Sequence, residues 1–237
     1  YTVRVLTRCE TNPTCDCTPK PAFCAGIPDL SIVFDDTGSM SEEINGLRKA
    51  TTDFVTAIKA GQIAKPSIQL VTFKDNVSHR ITTDVPDTLQ YYVNSLAASG
   101  GADCPEFSTG ALDWVVSNTS SNRLRDGGRI LLVTDASPPH NADMDAVIKK
   151  LVQRGIKVDV LISGDACVAD GVSQSTVDAY SQLANETHGY FAKVFEINDG
   201  TAEGKKKYED TARQVLFGAI FPTILGVDPN QAPQEST

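Results

Sequence analysis

Residues 30–40 read Leu-Ser-Ile-Val-Phe-Asp-Asp-Thr-Gly-Ser-Met, and this stretch decides the fold that the sequence predicts. It begins with five residues that are apolar except for one serine, as is typical of a short buried strand. Apolar residues then recur at helical spacing, at Ile44, Leu47, Phe54, Val55 and Ile58. A strand that leads directly into an amphipathic helix is the usual opening unit of an α/β fold.

The polar part of this stretch has two interpretations. Asp36, Thr37 and Gly38 spell the Asp-Thr-Gly triplet of aspartic proteases, which bring two such motifs together so that two carboxylates share one proton. The chain has no second triplet of this kind, and aspartic proteases are mostly β. In the neighbouring frame, Asp35, Thr37 and Ser39 form a D-x-T-x-S set whose side chains alternate onto one side of the loop. The sequence therefore favours a cation site.

The alternation of strand and helix continues to about residue 222. Further strands are predicted at 68–73, 80–83, 130–133, 158–162 and 190–195, with amphipathic helices between most of them. The second and third strands are close in sequence, which indicates an antiparallel pair. The motif at residues 39–42, Ser-Met-Ser-Glu, has the form of a capping box for the first helix. The pattern predicts a doubly wound, Rossmann-like α/β fold with a mostly parallel six-stranded sheet and helices on both faces.

Three segments are expected along the chain. Residues 1–27 form a Cys-rich segment stapled by disulfides, residues 28–222 form the α/β domain, and residues 223–237 form a polar tail or linker. The first segment holds Cys9, Cys15, Cys17 and Cys24. We expect these four to pair among themselves, but not Cys15 with Cys17, which one residue separates. A zinc site is the alternative, although no histidine lies near them.

Composition excludes several classes of function. The net charge of -9 argues against a nucleic-acid partner, because phosphates require a basic face. No apolar run approaches the ~18 to 20 residues that cross a bilayer, so direct membrane insertion is not expected. The even number of cysteines and the Asn-x-Ser/Thr sequons at Asn76, Asn118 and Asn185 predict a secreted or extracellular glycoprotein.

Oxygen-bearing side chains follow three of the predicted strands or helices at the same edge of the sheet. The first loop carries Asp35, Thr37 and Ser39; Asp103 lies in a Gly-Gly-Ala-Asp loop, and Asp135 ends the strand 130–133. Ligands of open α/β sheets gather outside the carboxyl ends of the strands, and hard divalent cations prefer carboxylate and hydroxyl oxygens. These five residues are therefore the candidate metal ligands. Thr109, in the helix after the second loop, is the alternative to Asp103.

With this arrangement, residues 28–222 resemble a von Willebrand factor type A (vWA) domain with a metal-ion-dependent adhesion site (MIDAS), written D-x-S/T-x-S…T/D…D. The stretches Gly-Gly-Ala-Asp-Cys-Pro-Glu at 100–106 and Ser-Gly-Asp-Ala-Cys at 163–167 resemble hemicentin-type A domains in particular. The resemblance implies the strand order 3-2-1-4-5-6, a bound Mg²⁺ (or Mn²⁺/Ca²⁺), and a protein or extracellular-matrix ligand. The sequence departs from integrin-type sites, which have Thr where this chain offers Asp103.

A noncatalytic adhesion module is the function that these observations favour. Its alternatives are a metal-dependent hydrolase that uses the same site and a structural matrix component whose metal only stabilises the fold. The histidines at 79, 140 and 188 are scattered, so neither a zinc site nor a Ser-His-Asp triad is indicated. Cys104 and Cys167 both fall in loops at the carboxyl edge of the sheet, and we expect them to form a disulfide with each other.

Overall fold

The computed structural model describes residues 29–63, 65–101, 104–119, 123–139, 143–164, 166–167, 173–195, 197 and 200–220. The strands are β1 (Leu30–Asp35), β2 (Ile68–Phe73), β3 (Val77–Thr83), β4 (Arg129–Thr134), β5 (Lys157–Ile162) and β6 (Phe191–Lys193). The helices are α1 (Ser41–Lys59), α2 (Pro86–Ser95), α3 (Ser108–Ser117), α4 (Met144–Gln153), α5 (Gln174–Glu186) and α6 (Ala202–Ile220).

One six-stranded sheet organises the domain, in the order β3-β2-β1-β4-β5-β6. The β2–β3 pair is antiparallel and the other four pairs are parallel. This architecture confirms the predicted α/β fold and its strand order. The direction of winding reverses between β1 and β4, so the crevice of a doubly wound sheet opens beyond the carboxyl ends of these two strands.

Successive residues of the central strands lie on opposite faces of the sheet and belong to two separate hydrophobic cores. Leu30, Ile32 and Phe34 pack with α1, α2 and α6 on one face of the sheet, while Val33 packs with α3, α4 and α5 on the other. Every residue of β1 is buried. A strand that is covered on both faces has a nearly continuous run of apolar residues in its sequence. Residues 30–34 form such a run, so the sequence alone predicts this strand.

A buried ion pair links β4 to β5 far from the carboxyl edge. The Asp159 carboxylate is fully buried and accepts from two guanidinium nitrogens of Arg129, with Nη2 2.7 Å from Oδ1. The same Oδ1 also accepts from the backbone N–H of Tyr190 at 2.8 Å, just before β6. One carboxylate therefore holds the amino-terminal parts of three neighbouring strands in register.

Three local predictions differ from the structure. The third strand begins at Val77 rather than residue 80, because its first residues belong to a half-buried edge hairpin without an apolar run. The last strand spans only Phe191–Lys193 rather than 190–195. The predicted capping box does not form: residues 38–40 make a 3₁₀ turn, α1 begins at Ser41, and neither helical segment has a side-chain cap.

The predicted Cys-rich segment, 1–27, and the tail, 223–237, lie outside the described residues, so both stay predictions. The cysteine pairings of the first segment belong with them. None of the described helices is both long enough and apolar enough to cross a membrane.

Candidate metal centre

Asp35, the last residue of β1, organises the first loop of the site. Its Oδ1 accepts from the hydroxyl of Thr37 at 2.7 Å and from the Thr37 backbone N–H at 3.0 Å. The Ser39 hydroxyl lies 3.3 Å from Thr37 Oγ1. A hydroxyl has one proton and two lone pairs, and Thr37 directs its proton to Asp35. Its lone pairs are therefore available on the side that faces Ser39.

The second oxygen of Asp35 is held by Thr134, a residue that the sequence pattern did not point to. Thr134 Oγ1 donates to Asp35 Oδ2 at 2.7 Å and accepts from the backbone N–H of Ala136 at 3.1 Å. Val133 pairs with Phe34 across the parallel β1–β4 ladder, so the next residues, Thr134 and Asp35, come together. Knowledge of the register of these two strands would have identified this contact.

Asp135 follows β4 and is 5% exposed, and its negative charge acts on Asp35. Burial is the main cause that raises the pKa of Asp35 from 3.8 to about 6. Hydrogen bonds from Thr37 and Thr134 lower that pKa, whereas the charge of Asp135 raises it further. Two carboxylates that repel each other in a buried place are stabilised by a cation between them.

The donor set fits a hard divalent cation. Two oxygens at adjacent positions around an octahedral Mg²⁺ with bonds of ~2.1 Å lie about 3 Å apart, and Thr37 Oγ1 and Ser39 Oγ are 3.3 Å apart. Within the described ranges, no three His, Cys, Asp or Glu side chains converge on one point. The candidate site is instead a mixed set of two carboxylates, Asp35 and Asp135, and two hydroxyls.

The site is buried at its base and open at its top. Asp35 and Thr37 are 0% and 2% exposed, whereas Ser39 is exposed. Both oxygens of Asp35 accept hydrogen bonds from protein donors, so the two hydroxyls above it are better placed for direct coordination. A cation beside Ser39 would be reachable from solvent, and a partner's oxygen could complete its coordination shell.

The loop after α2 closes one side of the site through two glycines. Gly38 N–H donates to the carbonyl of Gly100 at 2.9 Å, and Gly101 has a φ of +70°. A Cβ at Gly101 would lie 2.5 Å from Thr37 Cγ2 and 2.8 Å from Glu106 Oε1. Gly101 is therefore required both by its backbone conformation and by the close approach of these two side chains.

The structure places the predicted second-loop residues differently. Asp103 lies outside the described residues, so its role stays a prediction. Thr109 is buried in the first turn of α3, and its hydroxyl has no hydrogen-bond partner among the residues that the structure describes. Glu106, which the sequence analysis did not identify, is 3% exposed and lies beside Gly101.

Asp36, the aspartate of the protease-like triplet, is engaged in ion pairs. Its Oδ2 is 2.8 Å from Arg80 Nη2, and its Oδ1 is 3.8 Å from Lys74 Nζ. Arg80 also donates to the Thr72 hydroxyl. A carboxylate neutralised in this way does not share a proton with a second aspartate, so the geometry agrees with the rejection of a protease.

Cys104 and Cys167 form a disulfide, with their Cα atoms 5.1 Å apart. The bond ties the second loop to the loop after β5. Beside Cys167, the Ala166 backbone N–H donates to the carbonyl of Asp135 at 2.6 Å. The loop that carries Glu106 is thus linked covalently to the loop after β5, which in turn is hydrogen-bonded to the loop that carries Asp135.

The three glycosylation sequons differ in accessibility. Asn76 is exposed in the turn between β2 and β3, and Asn118 is half-buried at the end of α3. Asn185 is exposed on α5, but its sequon partner Thr187 is 3% exposed and accepts from the backbone N–H of Val158. Asn76 combines an exposed asparagine with a sequon hydroxyl residue, Ser78, that is not buried.

Comparison with known proteins matches residues 29–198 to the family described as von Willebrand factor A domain. Von Willebrand factor A domain-containing protein 7 of Rattus norvegicus is 31% identical over 212 residues, covering 84% of this chain and 23% of that protein. Hemicentin-1 of Mus musculus is 26% identical over 191 residues, covering 80% of this chain and 3% of that protein. The chain thus spans less than a quarter of the length of these relatives.

Solved structures share the same fold. Proximal thread matrix protein 1 from the mussel byssus aligns with a TM-score of 0.55 and 12% identity, over 79% of this chain and 45% of that one. The pilus adhesin SpaC from Lactobacillus rhamnosus GG aligns with a TM-score of 0.51 and 12% identity, over 80% of this chain and 30% of that one. At these identities the likeness shows the fold alone.

Proposed function

Because the chain belongs to the von Willebrand factor A domain family, we propose that it is an extracellular module that binds a protein or matrix ligand through a divalent cation. Asp35, Thr37, Ser39 and Asp135 would hold the ion, with Asp103 as a further proposed ligand. Mg²⁺ is the expected ion, with Mn²⁺ or Ca²⁺ as alternatives, because all the donors are oxygens.

The observation that carries this proposal is the gradient of burial across the D-x-T-x-S loop. The Asp35 carboxylate orients the Thr37 hydroxyl from below, and Ser39 lies exposed above it. A bound ion would supply a positive charge that can accept a carboxylate or carbonyl oxygen from a partner. The protein fixes the donors in advance, so partner binding needs little rearrangement of the loop.

A hydrolase with the same site is less well supported. Metal-dependent hydrolysis needs an accessible group to take a proton from water. Burial raises the pKa of Glu43 to about 7, a value suited to a general base, but its side chain is 0% exposed. Glu43 is therefore out of reach of a substrate, which favours binding without catalysis.

The proposal is tested by capture of partners from extracellular matrix, with Mg²⁺ and with chelator. We expect specific capture in Mg²⁺ that is lost in chelator while circular dichroism shows the domain still folded. Capture that survives chelation contradicts metal-dependent binding. If chelator unfolds the domain, the metal has the purely structural role instead. Turnover of generic ester or phosphoester substrates with Mg²⁺ or Mn²⁺ would instead support the alternative that the domain is a metal-dependent hydrolase.

Metal affinity is expected to fall on acidification. The folded pKa of Asp35, about 6, lies above its ordinary value of 3.8. In the metal-free domain the stability contributed by this carboxyl is therefore fully present below about pH 4 and is lost as pH rises through 6. A cation needs the ionised form, so protons compete with it. We expect the affinity to weaken up to about tenfold per pH unit below pH 6.

Calorimetric titrations with Mn²⁺ at pH 5, 6 and 7.5 check this dependence. Glu43, on which the charge of Asp135 also acts, extends the dependence slightly above pH 6. Asp29, whose pKa burial also raises to about 6, serves as an internal control. It pairs with Arg125 and sits just before the amino-terminal end of β1, so Asp29→Asn should leave the profile unchanged. Equal affinity at pH 5 and 7.5 would contradict the role of Asp35.

Extracellular location and glycosylation complete the proposal. Their support is the Cys104–Cys167 disulfide and the exposed sequon at Asn76. We expect protein secreted from eukaryotic cells to lose mass on treatment with peptide-N-glycosidase, and Asn76→Gln to remove most of that shift. A shift that Asn76→Gln leaves intact would point to Asn118 or Asn185 instead.

A further inference from the structure

Tyr180 is a buried tyrosine of α5, a helix that carries none of the proposed metal ligands. It is 0% exposed and belongs to the core that lies under α3, α4 and α5. Its hydroxyl donates to the carbonyl of Ala136 at 3.0 Å and lies 2.9 Å from the hydroxyl oxygen of Ser108. Ala136 directly follows Asp135, and Ser108 is the first residue of α3. One hydroxyl of α5 therefore contacts both the turn after β4 and the start of α3.

The direction of these two hydrogen bonds follows from the number of protons available. A tyrosine hydroxyl has one proton. Tyr180 gives that proton to the Ala136 carbonyl, so the Ser108 hydroxyl donates to Tyr180. The three residues are at most 1% exposed. A buried carbonyl that loses its donor bears the full cost of desolvation, so the fold favours the position of Ala136 in which this bond is made.

The amide side of Ala136 is tied to the first loop of the site. The Ala136 N–H donates to Thr134 Oγ1 at 3.1 Å, and the same hydroxyl donates to Asp35 Oδ2 at 2.7 Å. A chain of buried hydrogen bonds thus joins Tyr180 to Asp35 through the two residues that flank Asp135. The backbone on both sides of Asp135 is held by this chain.

We propose that Tyr180 is a positioning residue of the metal centre, whose hydroxyl holds the turn around Asp135 in the conformation that binds the cation. This inference rests on the proposed function, because it assigns a role toward the same ion. Tyr180 acts through Ala136 and does not itself contact the ion. A loop that is ordered before binding has less conformational entropy to lose when the cation arrives. Removal of the hydroxyl should therefore weaken cation binding although every proposed ligand atom is still present.

Tyr180→Phe keeps the ring in the core and removes only the hydroxyl. In the metal-free domain, the Ala136 amide should then exchange its hydrogen with solvent about fivefold to tenfold faster, because the turn that contains it opens more easily. Mn²⁺ affinity should fall by a similar factor, about fivefold to tenfold, since the loop must be ordered when the cation binds. Nuclear magnetic resonance measures the exchange, and calorimetric titration measures the affinity.

Thr187→Val is the matched control, because it also removes a buried hydroxyl at α5. Thr187 directly follows this helix and is 3% exposed. Its hydroxyl donates to the Leu183 carbonyl at 2.8 Å and accepts from the Val158 N–H at 3.1 Å, near the start of β5 and away from the carboxyl edge. We expect this variant to lose stability but to keep the wild-type Mn²⁺ affinity and the wild-type exchange rate at Ala136. A purely structural role of the Tyr180 hydroxyl predicts the same behaviour for Tyr180→Phe.

The outcomes separate this inference from the proposed function. If the wild type binds no Mn²⁺, the proposed function is wrong and the inference fails with it. If the wild type binds Mn²⁺ and Tyr180→Phe matches it in either measurement, only the role of Tyr180 is overturned. If Thr187→Val shows the same losses as Tyr180→Phe, the hydroxyl stabilises the domain in general and does not position the loop.

A second variant keeps the test decisive should Tyr180→Phe fail to fold. Ser108→Ala leaves the tyrosine in place but removes the donor that directs the Tyr180 proton towards Ala136. We expect changes of the same sign in both measurements, of about twofold to threefold. Unchanged exchange at Ala136 together with unchanged Mn²⁺ affinity in Ser108→Ala would then overturn the proposal.

Discussion

Asp135→Asn is expected to weaken divalent-cation binding by about 100- to 1,000-fold while leaving the metal-free domain at least as stable as the wild type. A unit charge ~4 Å from another in a partly buried site is worth about 4 kcal/mol, and each 1.4 kcal/mol is about tenfold in affinity. Asparagine also relieves the repulsion that helps to raise the pKa of Asp35. Calorimetry with Mg²⁺ and Mn²⁺, with melts in chelator, measures both effects.

Asp113→Asn provides the matched control for this substitution. Asp113 lies on α3, is 43% exposed in its side chain and pairs with Lys150 at 2.6 Å. We expect wild-type affinity from this variant. Asp35→Asn should also lose the metal, but it should be less stable in chelator, because its amide cannot accept all the hydrogen bonds from Thr37 and Thr134. Undiminished binding in Asp135→Asn would remove this residue from the site.

Asp159→Ala is expected to lower the free energy of unfolding by about 3 to 5 kcal/mol, the cost of leaving a buried charge without its partner. Asp159 is 0% exposed and carries hydrogen bonds from Arg129 and from the Tyr190 backbone. The expected midpoint shift in urea is large enough to be seen with the metal absent. Chemical denaturation followed by circular dichroism measures it.

A surface ion pair provides the comparison for the stability loss expected from Asp159→Ala. Asp113→Ala breaks the exposed pair with Lys150, and we expect a loss of no more than about 1 kcal/mol. Arg129 is six residues from Asp135, or roughly 20 Å along an extended strand, so Asp159→Ala molecules that remain folded should bind Mn²⁺ normally. A small stability loss for Asp159→Ala would mean that solvent reaches Arg129 and screens its charge.

The strands and helices that depend on the local pattern of apolar and polar residues could be predicted from the sequence. Residues 30–34 are buried on both faces, so their apolar run was visible without knowing their neighbours. The edge strand β3 was found only in part, because its polar first residues resemble a turn. The predicted Ser39 capping box does not form because Ser39 lies within the 3₁₀ turn of residues 38–40, before α1 begins at Ser41.

The parts of the site that depend on distant contacts could not be read in the same way. Thr134 reaches Asp35 through the register of β1 and β4, 99 residues apart in sequence. Glu106 and Thr37 both approach Gly101, in a contact between two loops that no local pattern encodes. The sequence favours Asp103 over Thr109 because Asp103 lies in a glycine loop and Thr109 lies within the following helix, and this preference stays a prediction. The first-loop residues could be proposed from the sequence because their spacing is local and alternates along one stretch.

The central claim is that a divalent cation sits among Thr37, Ser39 and Asp135 at the carboxyl edge of the sheet. Anomalous scattering from crystals of this chain grown with Mn²⁺ tests it most directly. We predict one strong anomalous peak within about 2.5 Å of the hydroxyl oxygens of Thr37 and Ser39, a distance set by metal–oxygen bonding. A well-ordered site without such a peak, or a peak only elsewhere in the domain, would contradict the account.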